Sequence, residues 1–141
     1  MSVTYHYEVS GEDFSRAGNA SSEMKKILQR LGIPADVIKR TAVAMYEAEI
    51  NMVVHAGGGV ADISIDSGAI TIVMTDHGPG IADIDLAMKD GYSTAPEIIR
   101  ELGFGAGMGL TNMKRNTDEM KIDSTVGSGT TVTMKILIPE A

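Results

Sequence analysis

Glu47, Asn51 and His55 recur at every fourth position of a stretch that otherwise reads as an apolar helix. Steps of four residues advance about 400° around a helix, about 40° of drift each, so the three side chains fall within about 80° of one face. Asn51 offers a carbonyl oxygen suited to Mg2+, a hard cation that takes few protein ligands and binds substrate phosphates. Glu47, one turn away, can hold a water or a hydroxyl as general base. His55 has three readings: contact with a phosphate, contact with Asn51, or a helix-end histidine beside the dipole. A solvated polar face is the plain alternative for the stripe. Asn51 weakens it, because Asn is a poor helix former in mid-helix. Zinc does not fit, since the histidines are His6, His55 and His77, nothing clusters them, and the chain has no cysteine.

Two glycine-rich strings follow that helix. The first, Asp76-His77-Gly78-Pro79-Gly80, comes after an apolar strand with Ile70, Ile72 and Met74. A turn after a strand is its bland reading. The sharper reading places the Asp76 carboxylate at the strand end, accepting a hydrogen bond from an exocyclic amine such as adenine carries. Gly78 and Gly80 then let the backbone approach the ring with no Cβ in the way. The second string is Gly103-Phe104-Gly105-Ala106-Gly107-Met108-Gly109-Leu110. It shares letters with the dinucleotide fingerprint but lacks the early strand, tight turn and βαβ context. No Gly-Lys-Ser or Gly-Lys-Thr triplet is present, so it is no P-loop. Backbone N–H groups where it enters the following helix can still cradle phosphates, and the preceding loop can fold over a nucleotide as a lid. A last string, Gly127-Ser128-Gly129-Thr130-Thr131, makes a tight turn into a strand, and a hydroxyl of Thr130 or Thr131 can reach the base or its nearby water.

These residues need elements to hold them. Residues 3–9 alternate as an edge or half-buried strand. Ala17, Ala20, Met24, Ile27, Leu28 and Leu31 predict an amphipathic helix over about 14–30, capped by Asp13 or Ser15. A second helix runs from about Pro34 to Ala56, buried along Val37, Thr41, Ala44, Ala48 and Met52, and Gly57-Gly58-Gly59 stops it. Strands over 60–65 and 70–75 join through a hairpin turn at 66–69. A short helix is expected within 81–88, a loop over 90–107, and a helix over 107–118. Strands then follow from Met120 and over 130–138, joined by a turn at 126–129. Hairpins require antiparallel neighbours. The expected fold is therefore a single α/β domain, a two-layer sandwich with helices on one face of a mixed, mostly antiparallel sheet. No internal repeat or linker interrupts it.

Bulk chemistry narrows the function classes. A chain of 141 residues predicts one domain with a sizeable core. The absence of cysteine excludes disulfides and thiolate nucleophiles and mildly favours a reducing cytoplasm. The opening residues do not read as a signal peptide, and no apolar run approaches the roughly 20 residues that span a bilayer. The net charge of −7 disfavours free nucleic acid, whose affinity comes from phosphate neutralisation. It leaves a bound nucleotide possible, because local N–H groups and Mg2+ can carry that charge. The ten methionines are expected to fill the core, with Met108 and Met113 as candidates for a partner surface around the lid.

Taken in order, the four strings resemble the motifs of the GHKL (Bergerat-fold) ATPase superfamily, which includes histidine kinases, the gyrase ATP-binding subunit, a heat-shock chaperone and MutL. The resemblance covers about residues 35–135. Within that superfamily, 76–94 (DHGPGIADIDLAMKDGYST) and 107–119 (GMGLTNMKRNTDE) look most like the small bacterial anti-sigma and switch-protein serine/threonine kinases of stress and sporulation control. It implies ATP and Mg2+ as cofactors, with Asn51 as metal ligand and Glu47 as catalytic base. Asp76 becomes the adenine-binding carboxylate, and Gly103, Gly105, Gly107, Met108, Gly109 and Leu110 the phosphate side. His55, Gly78, Gly80, Thr130 and Thr131 complete the nucleotide-binding set. The implied partner is a small protein of anti-sigma-factor-antagonist type, phosphorylated on serine or threonine, with a sigma factor or other regulator also in play and a homodimer as the assembly. No motif fixes a partner contact; Arg100, Lys114 and Arg115 are basic candidates near the lid. Two activities fit the residues: a protein serine/threonine kinase, or an ATP-dependent binding switch with little turnover.

Overall fold

A computed structural model describes residues 2–11, 17–81 and 109–139. The elements are β1 (Val3–Ser10), α1 (Asn19–Arg30), α2 (Ala35–Ala56), β2 (Gly58–Ile65), β3 (Ala69–Thr75), α3 (Gly109–Arg115), β4 (Glu119–Thr125) and β5 (Gly129–Leu137). The strands form one sheet in the order β1-β2-β3-β5-β4. Every pairing among the described strands is antiparallel, so the parallel pair that a mixed sheet would contain does not occur among them. The two-layer α/β sandwich otherwise stands as expected.

Register explains the layering. Side chains alternate faces along a strand, and the rows Tyr7–Ala61–Met74–Val132–Ile122 and Tyr5–Ile63–Ile72–Met134–Met120 run straight across the sheet. Their central members are buried. The intervening rows, such as His6–Asp62–Val73–Thr133–Lys121, carry polar and half-buried or exposed residues. The inner face lies against α2, which packs on β1, β2, β3 and β5, while α1 and α3 pack on α2. Among the described residues six methionines (Met24, Met45, Met52, Met74, Met113 and Met134) are buried. Met113 is therefore core, not the partner surface considered for it, because the inward face of α3 turns it onto α2. Met108 lies outside the described residues.

Helix ends follow local chemistry. Residues after α1 form a Schellman-type stop, with Ile33 N–H donating to the Leu28 carbonyl at 3.1 Å and Gly32 at φ 73. The turn leaves Leu31, counted with the buried face by spacing, exposed. Asp13 and Ser15 lie outside the described residues; what does hold the start of α1 is Glu49 of α2. Its carboxylate, 2% exposed, accepts from the backbone N–H groups of Ala20 at 3.1 Å and Ser21 at 3.0 Å. A carboxylate at a helix N-terminus satisfies two orphan donors and complements the dipole. Glu49→Ala leaves both donors buried and unpaired, so denaturant unfolding should show a loss of about 2–5 kcal/mol. A loss below about 0.5 kcal/mol, within the range of ordinary surface substitutions, would refute this role.

Gly57 ends α2 with φ 72, but Gly58 and Gly59 already belong to β2, so that strand starts before the expected Val60. The Asp66 turn is as anticipated: Oδ1 accepts from Gly68 N–H at 2.7 Å and Ala69 N–H at 2.9 Å. The helix expected over 107–118 ends at Arg115, where Thr117 Oγ1 donates to the Met113 carbonyl at 3.0 Å. The short helix expected within 81–88 and the loop over 90–107 fall outside the described residues.

Candidate functional site

The polar stripe of α2 meets different surroundings along its length. Glu47 is half-buried, and its Oε1 accepts a hydrogen bond from Asn112 Nδ2 at 3.2 Å. A methyl group at Gly109 would lie 3.6 Å from Glu47 Oε2, so this carboxylate faces the first turn of α3. Asn51, one turn further along α2, is half-buried. His55, in the last turn, is partly buried, and desolvation lowers its pKa below the ordinary 6.5. Its ring therefore favours the neutral form, which weakens the charged-dipole and charged-phosphate readings alike.

Asp76 continues the inward alternation of Ile70, Ile72 and Met74 and is 7% exposed. One of its oxygens, Oδ1, accepts from the N–H of Gly78 at 2.9 Å and of Thr130 at 3.1 Å. The Asp76 N–H donates to the Thr130 carbonyl at 2.9 Å. Both side-chain bonds converge on the same oxygen, which among the described residues leaves Oδ2 for a ligand. The carboxylate is thus fixed by backbone groups from two segments, and its rotamer is set before any ligand arrives.

The glycines of the first string do a different job from the one read in the sequence. A Cβ on Gly78 would lie 2.6 Å from the Ala56 Cβ. Gly78 is needed so that the turn can press against the last turn of α2, the helix bearing Glu47 and Asn51. A Cβ on Gly80 would meet the Thr125 carbonyl at 2.5 Å, so this space too is filled by protein. Gly129, at φ 120, brings β5 so near that a Cβ would meet the Asp76 carbonyl at 2.2 Å. These close approaches gather the α2 end, the Asp76 turn and the start of β5 into one place.

Thr130 and Thr131 separate. Thr130 is buried on the inner face, and its Oγ1 lies 2.8 Å from Ser124 Oγ. Thr131 pairs with Thr75 and Asp123 on the outer face, away from the Asp76 carboxylate. Gly109 and Leu110 open α3, with Leu110 buried in the core; Gly103, Gly105, Gly107, Met108 and Arg100 lie outside the described residues. Lys114 and Arg115 are exposed on α3. Among the described residues, no three His, Cys, Asp or Glu converge as a metal cluster, and no helix is long and apolar enough to cross a membrane. His6 pairs with Asp62 on the exposed sheet face.

Sequence reading overlooked Asn112, Ser124 and Glu49. Glu49 carried a signal, since it sits four residues after Met45 on the buried side of α2. Asn112 and Ser124 carried none, because their partners are 65 and 6 positions away on other elements.

A five-stranded antiparallel sheet covered on one face by helices, with a buried carboxylate at the end of its central strand, defines an ATPase-type α/β sandwich. The model of the histidine kinase-like ATPase domain matches residues 12–136, and the chain belongs to that family. It is 32% identical to an anti-sigma F factor of Clostridium acetobutylicum, over 96% of this chain and 91% of that one. To an anti-sigma F factor of Halalkalibacterium halodurans it is 29% identical, over 96% and 90%. Among solved structures, the RsbU and RsbW domains of Rv1364c from Mycobacterium tuberculosis superpose with a TM-score of 0.65 at 17% identity. That match covers 99% of this chain but 34% of the larger one, and shows the shared fold.

Proposed function

We propose that the protein is an ATP-binding serine/threonine kinase of a partner-switching module, acting on a small protein of anti-sigma-factor-antagonist type. The observation that carries the reading is Asp76: a buried carboxylate with one oxygen locked by two amides and the other, among the described residues, left for an exocyclic amine. Family membership and the anti-sigma F relatives support ATP as the nucleotide and a regulatory protein as the partner.

Asn51 fits Mg2+ by donor type, since the ion takes one or two protein oxygens and shares its remaining positions with phosphates and water. When bound, Mg2+ would neutralise phosphate charge. Glu47 would then orient the partner's serine or threonine hydroxyl and accept its proton. The hydroxyl oxygen bonds to the γ-phosphorus as the bond to the β–γ bridging oxygen breaks, and ADP leaves. Asn112 keeps the Glu47 carboxylate turned toward α3 during this step. The glycines of 103–109 would line the phosphate side. The reading includes a cytoplasmic setting and a homodimer.

The name shared by the relatives favours a second reading. In it the chain holds a sigma factor or other regulator in an ATP-dependent way, with little turnover. Incubating the protein with γ-labelled ATP and candidate antagonist proteins separates the two. Label on a partner serine or threonine supports the kinase. ATP-dependent co-purification of a regulator, with no label transferred and no hydrolysis, supports the switch.

A further inference from the structure

The two carboxylate oxygens of Glu47 are not equivalent. Oε1 accepts from Asn112 Nδ2 at 3.2 Å. An ionised carboxylate only accepts, so the Asn112 group that meets it is the NH2. Oε2 takes no donor among the described residues, and the backbone of Gly109 passes beside it. Gly109 is helical and lies outside the left-handed region. A Cβ on it would meet Oε2 at 3.6 Å, an ordinary contact. Among the described residues alanine would therefore fit there, and it would favour the helix. Glycine at this place leaves room against Oε2 that the helix does not need. Nor does α3 need Asn112 to dock, because Leu110 and Met113 of the same short helix are buried in the core. Asn is a poor helix former in mid-helix, so its amide has another use.

Resting on the kinase reading, we infer that Asn112 is a positioning residue that selects which oxygen of Glu47 acts as the base. Its amide occupies Oε1 and fixes the plane of the carboxylate. Oε2 is left as the proton acceptor, on the side where Gly109 keeps the approach open. During transfer the O–H proton of the partner's serine or threonine passes to Oε2. The hydroxyl oxygen bonds to the γ-phosphorus, and ADP leaves with the electron pair of the broken β–γ bridge. Asn112 touches neither the nucleotide nor the hydroxyl. Without it the carboxylate turns and Oε2 leaves its line, and a misplacement on the order of 1 Å can cost about a hundredfold in rate.

The test is a double-mutant cycle between Asn112→Leu and Glu47→Gln. It is read as phosphoryl transfer from γ-labelled ATP to the antagonist protein that takes label in the assay above. Leucine is close to asparagine in shape and has no donor. Asn112→Leu alone should lower kcat about tenfold to a hundredfold, the size of one hydrogen bond to a charged group. ATP affinity by calorimetry and KM for the partner should move by less than about twofold, because the loss belongs to the transfer step. In the Glu47→Gln protein the same substitution should cost less than about twofold, because no base remains to be aimed. An unchanged kcat, an equal loss in both backgrounds, or a loss carried by KM or ATP affinity would make Asn112 a structural tether. Any of these would overturn the inference and leave the kinase reading intact. No label on any antagonist protein would remove the kinase reading, and the inference with it.

Discussion

Asp76→Asn should lower ATP affinity by about tenfold to a hundredfold or more, with the fold intact. The asparagine carbonyl can take the place of Oδ1 and keep the two bonds from Gly78 and Thr130. Its amide group then occupies the place of Oδ2 and turns two donors toward the adenine amine. A hydrogen bond to a charged acceptor is replaced by a donor facing a donor, so loss and mismatch act together. GTP should suffer far less from the change, because guanine offers an acceptor there. Titration of both nucleotides into the unmodified and Asp76→Asn proteins gives the answer. Unchanged ATP affinity in a folded variant would remove Asp76 from the site.

Glu47→Gln should separate binding from chemistry. The carboxylate lies on the α3 side of α2, held by Asn112, while the proposed place of base recognition is the Asp76 turn. Phosphoryl transfer to the partner should fall about 10²–10⁴-fold, the usual worth of a positioned general base. ATP affinity should move by less than about threefold, because an interaction made only during transfer does not appear in ground-state binding. Glutamine is nearly isosteric and can still receive the Asn112 hydrogen bond through its carbonyl, so the loss would report the missing base. Transfer that persists at the original rate would give catalysis to another group.

Much of the scaffold was legible because its signals are local. Alternation marked 3–9 as a strand and Ile70, Ile72 and Met74 as the apolar side of another, and steps of three and four residues along α2 picked out Thr41, Ala44, Ala48 and Met52 as buried. Asp66 announced its hairpin because an aspartate closing its own turn needs only residues two and three further on. The glycine-rich strings were legible as a family signature, through their spacing and order. What stayed hidden depended on contacts between distant segments. Nothing local tells that Glu49 will reach the start of α1, or that Asn112 will meet Glu47. The glycines show the same limit: Gly78 and Gly80 were read as making room for a ring, yet Ala56 and Thr125 fill those spaces. Thr130 and Thr131 looked interchangeable until strand register sent one to each face.

The central claim is one cleft with adenine at Asp76 and the triphosphate beside Asn51. The most direct measurement is a crystal structure with a non-hydrolysable ATP analogue and Mg2+. The account predicts the adenine amine within hydrogen-bonding distance of Asp76 Oδ2 and the Asn51 amide oxygen bonded to the metal. A nucleotide bound elsewhere, or one whose base leaves Asp76 uncontacted while the phosphates lie apart from Asn51, would contradict it.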